Sequence, residues 1–183
     1  MSQRKIALFD IDKTIYDGYL IFPLAEYFCT EGIVTRGVVD GLFQDLYLYK
    51  SNLVDYETSV ENFNKHWAAG LRNHDTELIR RVTKDFLETE AGNRFFTFTG
   101  PLLEFLQRTH DIYFVTGEVQ FVGEAVAERF SAQGYITSEM EVDNGLFTGN
   151  VSRSLARREG KRDAIGRLLK TYPDEGSLGV GDS

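Results

Sequence analysis

Near its start the chain carries a short apolar run, Lys5-Ile-Ala-Leu-Phe9, that leads directly into Asp10-Ile-Asp-Lys-Thr14. A nearly continuous apolar run of this length is typical of a strand that is buried on both faces of a parallel sheet. Polar residues then predict that the strand ends at Asp10. Because ligands bind at the carboxyl ends of strands in open α/β sheets, Asp10 and Asp12 are the first candidates for a functional site.

A long helical stretch follows the first strand. Its apolar residues recur at about the 3.6-residue period of a helix. Asp55 and Asp75 are well placed to cap two of the helices, because a side-chain carboxylate can accept a hydrogen bond from a free backbone N–H in the first turn. The pattern predicts four helices, one around Leu24 and Phe28, and others from Val38 to Tyr49, Asp55 to Trp67 and Asp75 to Leu87.

Strands and helices alternate in the rest of the chain, which is typical of an α/β fold with a parallel, Rossmann-like sheet. We expect a core of residues 1–16 and 98–183 and an inserted helical-bundle cap of residues 17–97. Because the last strand lacks a covering helix, we expect the C-terminal part of the core to be missing. The predicted elements are a helix from Gly100-Pro101, a strand over 112–115 that ends at Thr116-Gly117, a helix from Val119 to Phe130, a hairpin over 135–149 that turns at Asp143-Asn144-Gly145, a helix from Lys161 to Tyr172 and a strand over 176–180.

Composition and charge argue against several classes of function. The 20 Lys and Arg against 28 Asp and Glu give a formal charge of −8, so non-specific nucleic-acid binding is not expected. No apolar run approaches the ~20 residues that cross a bilayer, and the apolar start is too short for a signal peptide. The single cysteine, Cys29, cannot form an internal disulfide or a cysteine-rich zinc site, so we expect a reducing, cytoplasmic setting.

Polar residues from several elements are predicted to meet at one edge of the sheet. Each has an ordinary structural interpretation as a turn, a cap or a solvated basic face. Together they form a coherent set for phosphate chemistry, because carboxylate oxygens suit Mg²⁺ and an Asp aimed at phosphorus can form an aspartyl-phosphate. A second carboxylate can transfer protons, while a hydroxyl and an ammonium hold phosphoryl oxygens. Besides Asp10 and Asp12, the set comprises Thr116 and Gly117, Lys161 and Asp182.

The order of these residues resembles the four motifs of the haloacid dehalogenase superfamily. The segment from Asp10 to Thr14 is similar to the first motif, DxDxT. Thr116 resembles the second motif, Lys161 the third, and Gly181-Asp182-Ser183 the fourth. The helical insertion and the segment Gly145-Leu-Phe-Thr-Gly149 resemble the phosphoserine-phosphatase-like branch with a helical cap. The resemblance covers essentially the whole chain.

The resemblance implies a role for each motif residue. Asp10 would be the nucleophile and a metal ligand, Asp12 the general acid/base that also gives its backbone carbonyl to the metal, and Asp182 a further metal ligand. Thr14 would stabilise the loop that orients Asp12. Mg²⁺ is the implied cofactor. Phosphate binding is implied for Thr116, Gly117 and Lys161.

Two departures from the family pattern bear on the substrate. Phosphoserine phosphatases carry a Glu about nine positions after the nucleophile, where this chain has Tyr19. Lys13 occupies a position where Gly or Ser is more usual. We therefore expect a Mg²⁺-dependent phosphatase for a small-molecule phosphomonoester other than phosphoserine. We expect the cap to choose that substrate, with hinges near Asp17-Gly18 and residues 97–100.

Three other functions fit parts of the pattern. A phosphotransferase of the same family would use an alcohol in place of water. A non-catalytic relative would only bind phosphate or a partner. A phospho-accepting receiver domain also uses Asp, Thr, Lys and Mg²⁺, but receivers are shorter and lack a helical insertion, so the spacing of Asp10 and Asp12 disfavours it. The expected partner is a small phosphorylated molecule, neither a nucleic acid nor a membrane, and the sequence does not indicate the oligomeric state.

Overall fold

The structure is a computed structural model that describes residues 4–156, 158–173 and 175–181. Its order of strands and helices agrees with the predicted order. Between α4 and α5 lies a single 3₁₀ turn at Gly92–Arg94. The elements are β1 (Lys5–Phe9), α1 (Ile21–Thr30), α2 (Arg36–Lys50), α3 (Tyr56–Gly70), α4 (Thr76–Thr89), α5 (Thr99–Gln107), β2 (His110–Val119), α6 (Gln120–Arg129), β3 (Gly134–Asp143), β4 (Leu146–Arg153), α7 (Arg158–Leu169) and β5 (Leu178–Val180).

The five strands form one sheet in the order β4-β3-β2-β1-β5. β1 pairs in parallel with β2 and β5, and β2 pairs in parallel with β3. Only β4 is antiparallel. The predicted α/β fold is confirmed. The hairpin of β3 and β4 extends this sheet, and its turn residues Asn144 and Gly145 both have positive φ, as a two-residue hairpin turn of this type requires.

Two predicted element ends are wrong. β2 continues to Val119 rather than ending at Thr116-Gly117. Its pairing with β3 shifts register between Val115 and Val119, which marks a bulge where the backbone stays extended but the side chains are re-aimed. α7 begins at Arg158, so Lys161 lies within its first turn rather than at its start.

The four inserted helices, α1 to α4, share one apolar core with the sheet. Trp67 of α3 is fully buried and contacts Phe28 of α1 and Phe121 of α6, with ring centroids 5.5 and 5.7 Å apart. Arg80 of α4 pairs with Glu124 of α6 at 3.0 Å. Apolar packing and an ion pair therefore hold the inserted helices against the sheet and α6.

The segment Gly145–Gly149 joins β4 to the loop between α3 and α4. Asn73 N–H donates to the Phe147 carbonyl at 2.8 Å, and Phe147 N–H donates to the His74 carbonyl at 3.0 Å. Gly149 has a φ of 91°, and a Cβ at this position would lie 2.5 Å from Nε of Arg72. This segment, notable already in the sequence, thus serves to attach the inserted helices to the sheet.

The two linkers of the insertion are hydrogen-bonded to each other. Asp17 N–H donates to the Arg94 carbonyl at 2.8 Å, and the Arg94 guanidinium donates to the Asp17 carbonyl at 2.6 Å. Phe96 N–H and the Thr99 hydroxyl both donate to the Ile15 carbonyl. These bonds bring the entry and the exit of the insertion together beside the end of β1.

Candidate active site

Asp10 lies at the carboxyl end of β1, beside the end of β5. Its backbone N–H donates to the Val180 carbonyl at 2.9 Å. Lys161 of α7 reaches the same edge, and its Nζ lies 3.8 Å from Oδ1 of Asp10. A Cβ on Gly181 would lie 3.7 Å from the Asp10 Cβ. The structure thus brings together the predicted nucleophile and the predicted phosphate-binding cation from residues about 150 positions apart in the sequence.

Asp12 lies on a tight loop that turns its carboxyl toward the start of α1. Its Oδ1 accepts a hydrogen bond from Leu20 N–H at 2.9 Å. Lys13, the next residue, has a φ of 57°, which is the left-handed conformation that L-residues other than Gly adopt at a cost. This explains why a Gly would suit position 13 and why the predicted motif loop can reverse within a few residues.

Glu118 is a site residue that the sequence interpretation missed. Its Oε1 accepts a hydrogen bond from Ile21 N–H at 3.2 Å, so Asp12 and Glu118 bind adjacent N–H groups at the start of α1. The two carboxyl groups also face each other in a buried position. No donor in the described part of the chain reaches Glu118 Oε2. The pair therefore needs a shared proton to be stable.

Burial sets the protonation of this carboxyl pair. Burial raises the pKa of Asp12 to about 6, although the hydrogen bond from the Leu20 N–H lowers it. The charge of Asp10 acts in the same direction as burial. Burial also raises the pKa of Glu118 well above its ordinary value, with the Asp12 charge as the next cause. Because Glu118 is the more deeply buried, we assign it the shared proton at neutral pH. Asp12 is then left with a pKa suited to general acid/base catalysis.

The bulge in β2 holds the predicted phosphate-binding residues in place. Thr116 is buried, and its hydroxyl oxygen accepts the Glu118 N–H at 3.2 Å. The Gly117 carbonyl accepts a hydrogen bond from the Ser138 hydroxyl of β3 at 3.0 Å. Because the Thr116 hydroxyl uses only an acceptor position here, its hydrogen can still be donated to a ligand.

Ser138 connects three parts of the site through one buried hydroxyl. Besides donating to Gly117, this hydroxyl accepts a hydrogen bond from the Asn64 side chain of α3 at 3.0 Å. It also accepts the Leu155 N–H at 3.0 Å, in the segment that leads into α7 and Lys161. One donor and two acceptor positions satisfy the hydroxyl completely. The position of α7 is therefore coupled to the β2 bulge and to α3.

Tyr56 is a second residue that the sequence interpretation missed. It begins α3, and its hydroxyl lies 3.4 Å from where a Cβ on Gly117 would be. Burial of the hydroxyl raises the pKa of Tyr56 to about 12, and the Asp10 and Asp12 charges contribute in the same direction. Tyr56 therefore stays protonated near neutral pH and can donate a hydrogen bond beside Gly117, one of the predicted phosphate-binding residues.

One expectation from the motifs takes a different form in the structure, and another falls on a residue that the structure does not describe. The Thr14 hydroxyl is buried without a hydrogen bond to any described residue, so the loop that orients Asp12 is held instead by backbone bonds from Ile15 and Tyr16 N–H to the Ile11 carbonyl. The predicted metal ligand Asp182 lies outside the described residues.

The described site residues fit a hard divalent cation by their chemistry. Within residues 4–156, 158–173 and 175–181 no three His, Cys, Asp or Glu side chains form a metal-binding group. Mg²⁺, however, binds through one or two carboxylates and takes the remaining ligands from water and substrate phosphate. The Asp10 carboxylate and the backbone carbonyl of Asp12, both at the end of β1, are oxygen donors that suit such an ion.

A comparison with protein families matches residues 7–183 to haloacid dehalogenase-like hydrolases. The chain belongs to this family. The family prediction is thereby confirmed, and with it the prediction of a hydrolase. A comparison with curated protein sequences gives no match. None of the described helices is long and apolar enough to span a membrane.

Several solved structures share this fold of the haloacid dehalogenase-like hydrolases. A protein of unknown function from Bordetella pertussis Tohama I has a TM-score of 0.73 and 20% identity, over 92% of this chain and 75% of that one. A phosphoserine phosphatase captured as a phospho-aspartyl intermediate analogue has a TM-score of 0.63 and 15% identity, over 97% and 78%. A phosphoserine phosphohydrolase-like protein from Francisella tularensis subsp. tularensis SCHU S4 has a TM-score of 0.65 and 13% identity, over 96% and 76%.

Proposed function

We propose that this hydrolase cleaves a small-molecule phosphomonoester, with Mg²⁺ as its cofactor, through an aspartyl-phosphate on Asp10. The observation that carries the proposal is the meeting of three groups at one sheet edge: the Asp10 carboxylate, the Lys161 ammonium 3.8 Å from it, and the Asp12 carboxyl with a pKa of about 6. They supply a nucleophile, a phosphate-binding cation and a proton carrier. The phosphoserine phosphatases among the fold neighbours support phosphate esters as the substrate class.

In the first step the Asp10 carboxylate attacks phosphorus, and the bond from phosphorus to the ester oxygen breaks. The protonated form of Asp12, which its raised pKa populates near neutral pH, gives its proton to the departing alcohol. Lys161 and the Thr116 hydroxyl bind phosphoryl oxygens as charge moves onto them. The Asp10 carboxylate, the Asp12 backbone carbonyl and Asp182 would hold Mg²⁺, which would add neutralisation of phosphoryl charge when bound.

In the second step the Asp12 carboxylate takes a proton from water, and the resulting hydroxide attacks phosphorus. The acyl-phosphate bond breaks, inorganic phosphate leaves and the Asp10 carboxylate is regenerated. Glu118 holds the Asp12 carboxyl in position through both steps, because it contacts Asp12 and the start of α1 together.

The proposed organisation assigns the chemistry to residues 1–16 and 98–183 and the recognition of the leaving group to residues 17–97. Gly117 belongs to the phosphate-binding loop in this assignment. We also propose the cytoplasm as the compartment, on the basis of the single cysteine. The excess of acidic residues continues to disfavour nucleic acid as a partner.

Release of phosphate from a panel of phosphomonoesters, with Mg²⁺ or with excess chelator, tests the proposal. We expect turnover only with the metal and none above background for Asp10→Asn. Asp143→Asn is the matched control, because Asp143 is an exposed carboxylate at the hairpin turn between β3 and β4, and it should keep wild-type turnover. Unchanged turnover in chelator, or activity retained by Asp10→Asn, would show that the mechanism is wrong.

A further inference from the structure

A continuous group of aromatic side chains leads away from the candidate active site. We call it the aromatic track, and it consists of Tyr19, Phe22, Phe43 and Phe63. Phe22 is its centre, with ring centroids 6.1 Å from Tyr19, 4.9 Å from Phe43 and 5.4 Å from Phe63. Phe22 is buried, whereas Phe43 is 43% exposed. The track therefore runs from a buried centre to the surface.

The inner end of the aromatic track adjoins the catalytic loop. Lys13 follows Asp12 directly, and its ammonium donates to the Tyr19 hydroxyl at 2.6 Å. On the other side, Phe22 follows Ile21, whose N–H binds Glu118. The track is thus linked to Asp12 through Lys13 and to Glu118 through Ile21.

The Tyr56 hydroxyl borders the proposed phosphate-binding loop at Gly117. Tyr56 lies on the same face of α3 as Val60 and Phe63, which are four and seven residues later. Val60 reaches 3.5 Å from where a Cβ on Gly117 would be, close to the Tyr56 hydroxyl. Tyr56 is 51% exposed although its hydroxyl adjoins the site. One face of α3 therefore connects the phosphate loop to the track.

The charge of the surroundings limits what the track can bind. The rings of Phe22, Phe43 and Phe63 carry no group that pairs with a charge, and the Tyr19 hydroxyl already accepts a hydrogen bond from the Lys13 ammonium. Aromatic faces can bind cations, but the Lys13 ammonium already lies 4.2 Å from the centroid of the Tyr19 ring. A second cation there would be repelled. The surface is therefore suited to a neutral, largely apolar group.

We propose that the substrate is the phosphomonoester of a neutral, largely apolar alcohol, whose body lies along the aromatic track while Tyr56 donates a hydrogen bond to the phosphate group. This inference rests on the proposed phosphatase function and names its substrate class. It assigns specificity to Phe43 and Phe22, and substrate positioning to Tyr56.

Four alkyl phosphates distinguish the possible substrates: 2-phenylethyl phosphate, ethyl phosphate, phosphocholine and phosphoserine. The first two release alkoxides of similar leaving ability, so that a difference between them reports binding of the phenyl group. We expect kcat/KM to be roughly tenfold or more higher for 2-phenylethyl phosphate, since apolar contacts of this size discriminate at least that well. Phe43→Ala should remove this preference, because it should lower kcat/KM for 2-phenylethyl phosphate much more than for ethyl phosphate.

Tyr47→Ala is the matched control, because Tyr47 is a still more exposed aromatic residue one turn further along α2. It should leave the preference unchanged. Tyr56→Phe should lower kcat/KM for the phenylethyl and ethyl esters by a similar factor, because its hydroxyl is assigned to the phosphate they share. Equal rates for these two esters in the wild-type protein, or a preference for phosphocholine or phosphoserine, would overturn the inference.

Failure of the proposed function has a different signature. If no ester is hydrolysed, the phosphatase proposal fails, and calorimetric binding of the same esters to the wild-type protein then decides the inference. Tighter binding of 2-phenylethyl phosphate than of ethyl phosphate, lost in Phe43→Ala, would support the apolar site. Equal binding of the two esters would overturn it.

Discussion

Replacing Glu118 with glutamine should remove the pH dependence that one buried carboxyl imposes on the stability of this protein. The amide has nearly the same shape. Its oxygen can still accept the Ile21 N–H, and its NH₂ group can donate to the Asp12 carboxylate, as the protonated Glu118 does. The substitution therefore keeps the contacts and removes only the titration.

The direction of this pH dependence follows from the raised pKa of Glu118. Burial, followed by the Asp12 charge, raises the pKa of Glu118 well above 4.5 in the folded protein, so the folded state holds a proton that the unfolded state releases. Its contribution to stability is fully present below pH 4.5 and is lost as the pH rises toward the raised pKa. The wild-type protein should thus lose about 1.4 kcal/mol of unfolding free energy per pH unit within that window.

Asp12 adds a similar loss of unfolding free energy over a different pH range. Its pKa rises from 3.8 to about 6, so its contribution declines between those values and amounts to about 3 kcal/mol in total. Above pH 6, Glu118 is the member of the carboxyl pair that should still titrate. The variant should therefore gain stability relative to the wild-type protein by about 1.4 kcal/mol per pH unit from pH 6 upward, until Glu118 has titrated.

Urea unfolding of both proteins at a series of pH values, in buffer with a chelator, measures this difference directly. Glu104→Gln, on the exposed side of α5, is the control and should give a curve parallel to that of the wild-type protein. If Glu118→Gln also gives a parallel curve, Glu118 does not hold a proton at neutral pH and the reasoning about the carboxyl pair is refuted.

Three other substitutions or exchanges should have defined effects. Lys13 has a left-handed backbone conformation, so Lys13→Gly should relieve backbone strain and raise the free energy of unfolding by up to about 1 kcal/mol. Thermal or urea unfolding measures this change, and a decrease would contradict the strain. Ser138→Ala leaves the partners of two buried hydrogen bonds and one partly buried hydrogen bond unpaired and should cost about 2–3 kcal/mol. Ser152→Ala, which removes a single exposed hydrogen bond, should cost far less. Ca²⁺ in place of Mg²⁺ should inhibit phosphate release, because Ca²⁺ takes more ligands at longer distances and would draw in both oxygens of Asp10; equal rates would argue against a metal-bound nucleophile.

Local patterns in the sequence were sufficient for the elements that position the site. The apolar run of β1 has the predicted bounds. Asp55 and Asp75 cap α3 and α4 as predicted, accepting the N–H groups of Thr58 and Leu78 at 2.8 and 2.9 Å. These features depend on residues within one turn of each other, so a single segment contains the information needed to predict them.

The missed features depend on residues far apart in the sequence. Glu118 is surrounded by Asp12 and Ile21, which lie about 100 positions earlier in the sequence. It also lies in the part of β2 beyond the strand end that the apolar pattern predicted. Tyr56 reaches Gly117 only because α3 packs across the end of β2. The one available signal was a carboxylate next to a run of otherwise apolar strand residues, which is unusual for a buried position.

Detection of the covalent intermediate tests the central claim most directly. The protein is mixed with Mg²⁺ and p-nitrophenyl phosphate, quenched in acid during turnover, digested and analysed by mass spectrometry. We expect a phosphoryl group on the peptide that contains Asp10, sensitive to hydroxylamine as an acyl phosphate is, and absent from Asp10→Asn. Release of phosphate with no modification of Asp10, or with the phosphoryl group on another residue, would contradict the account.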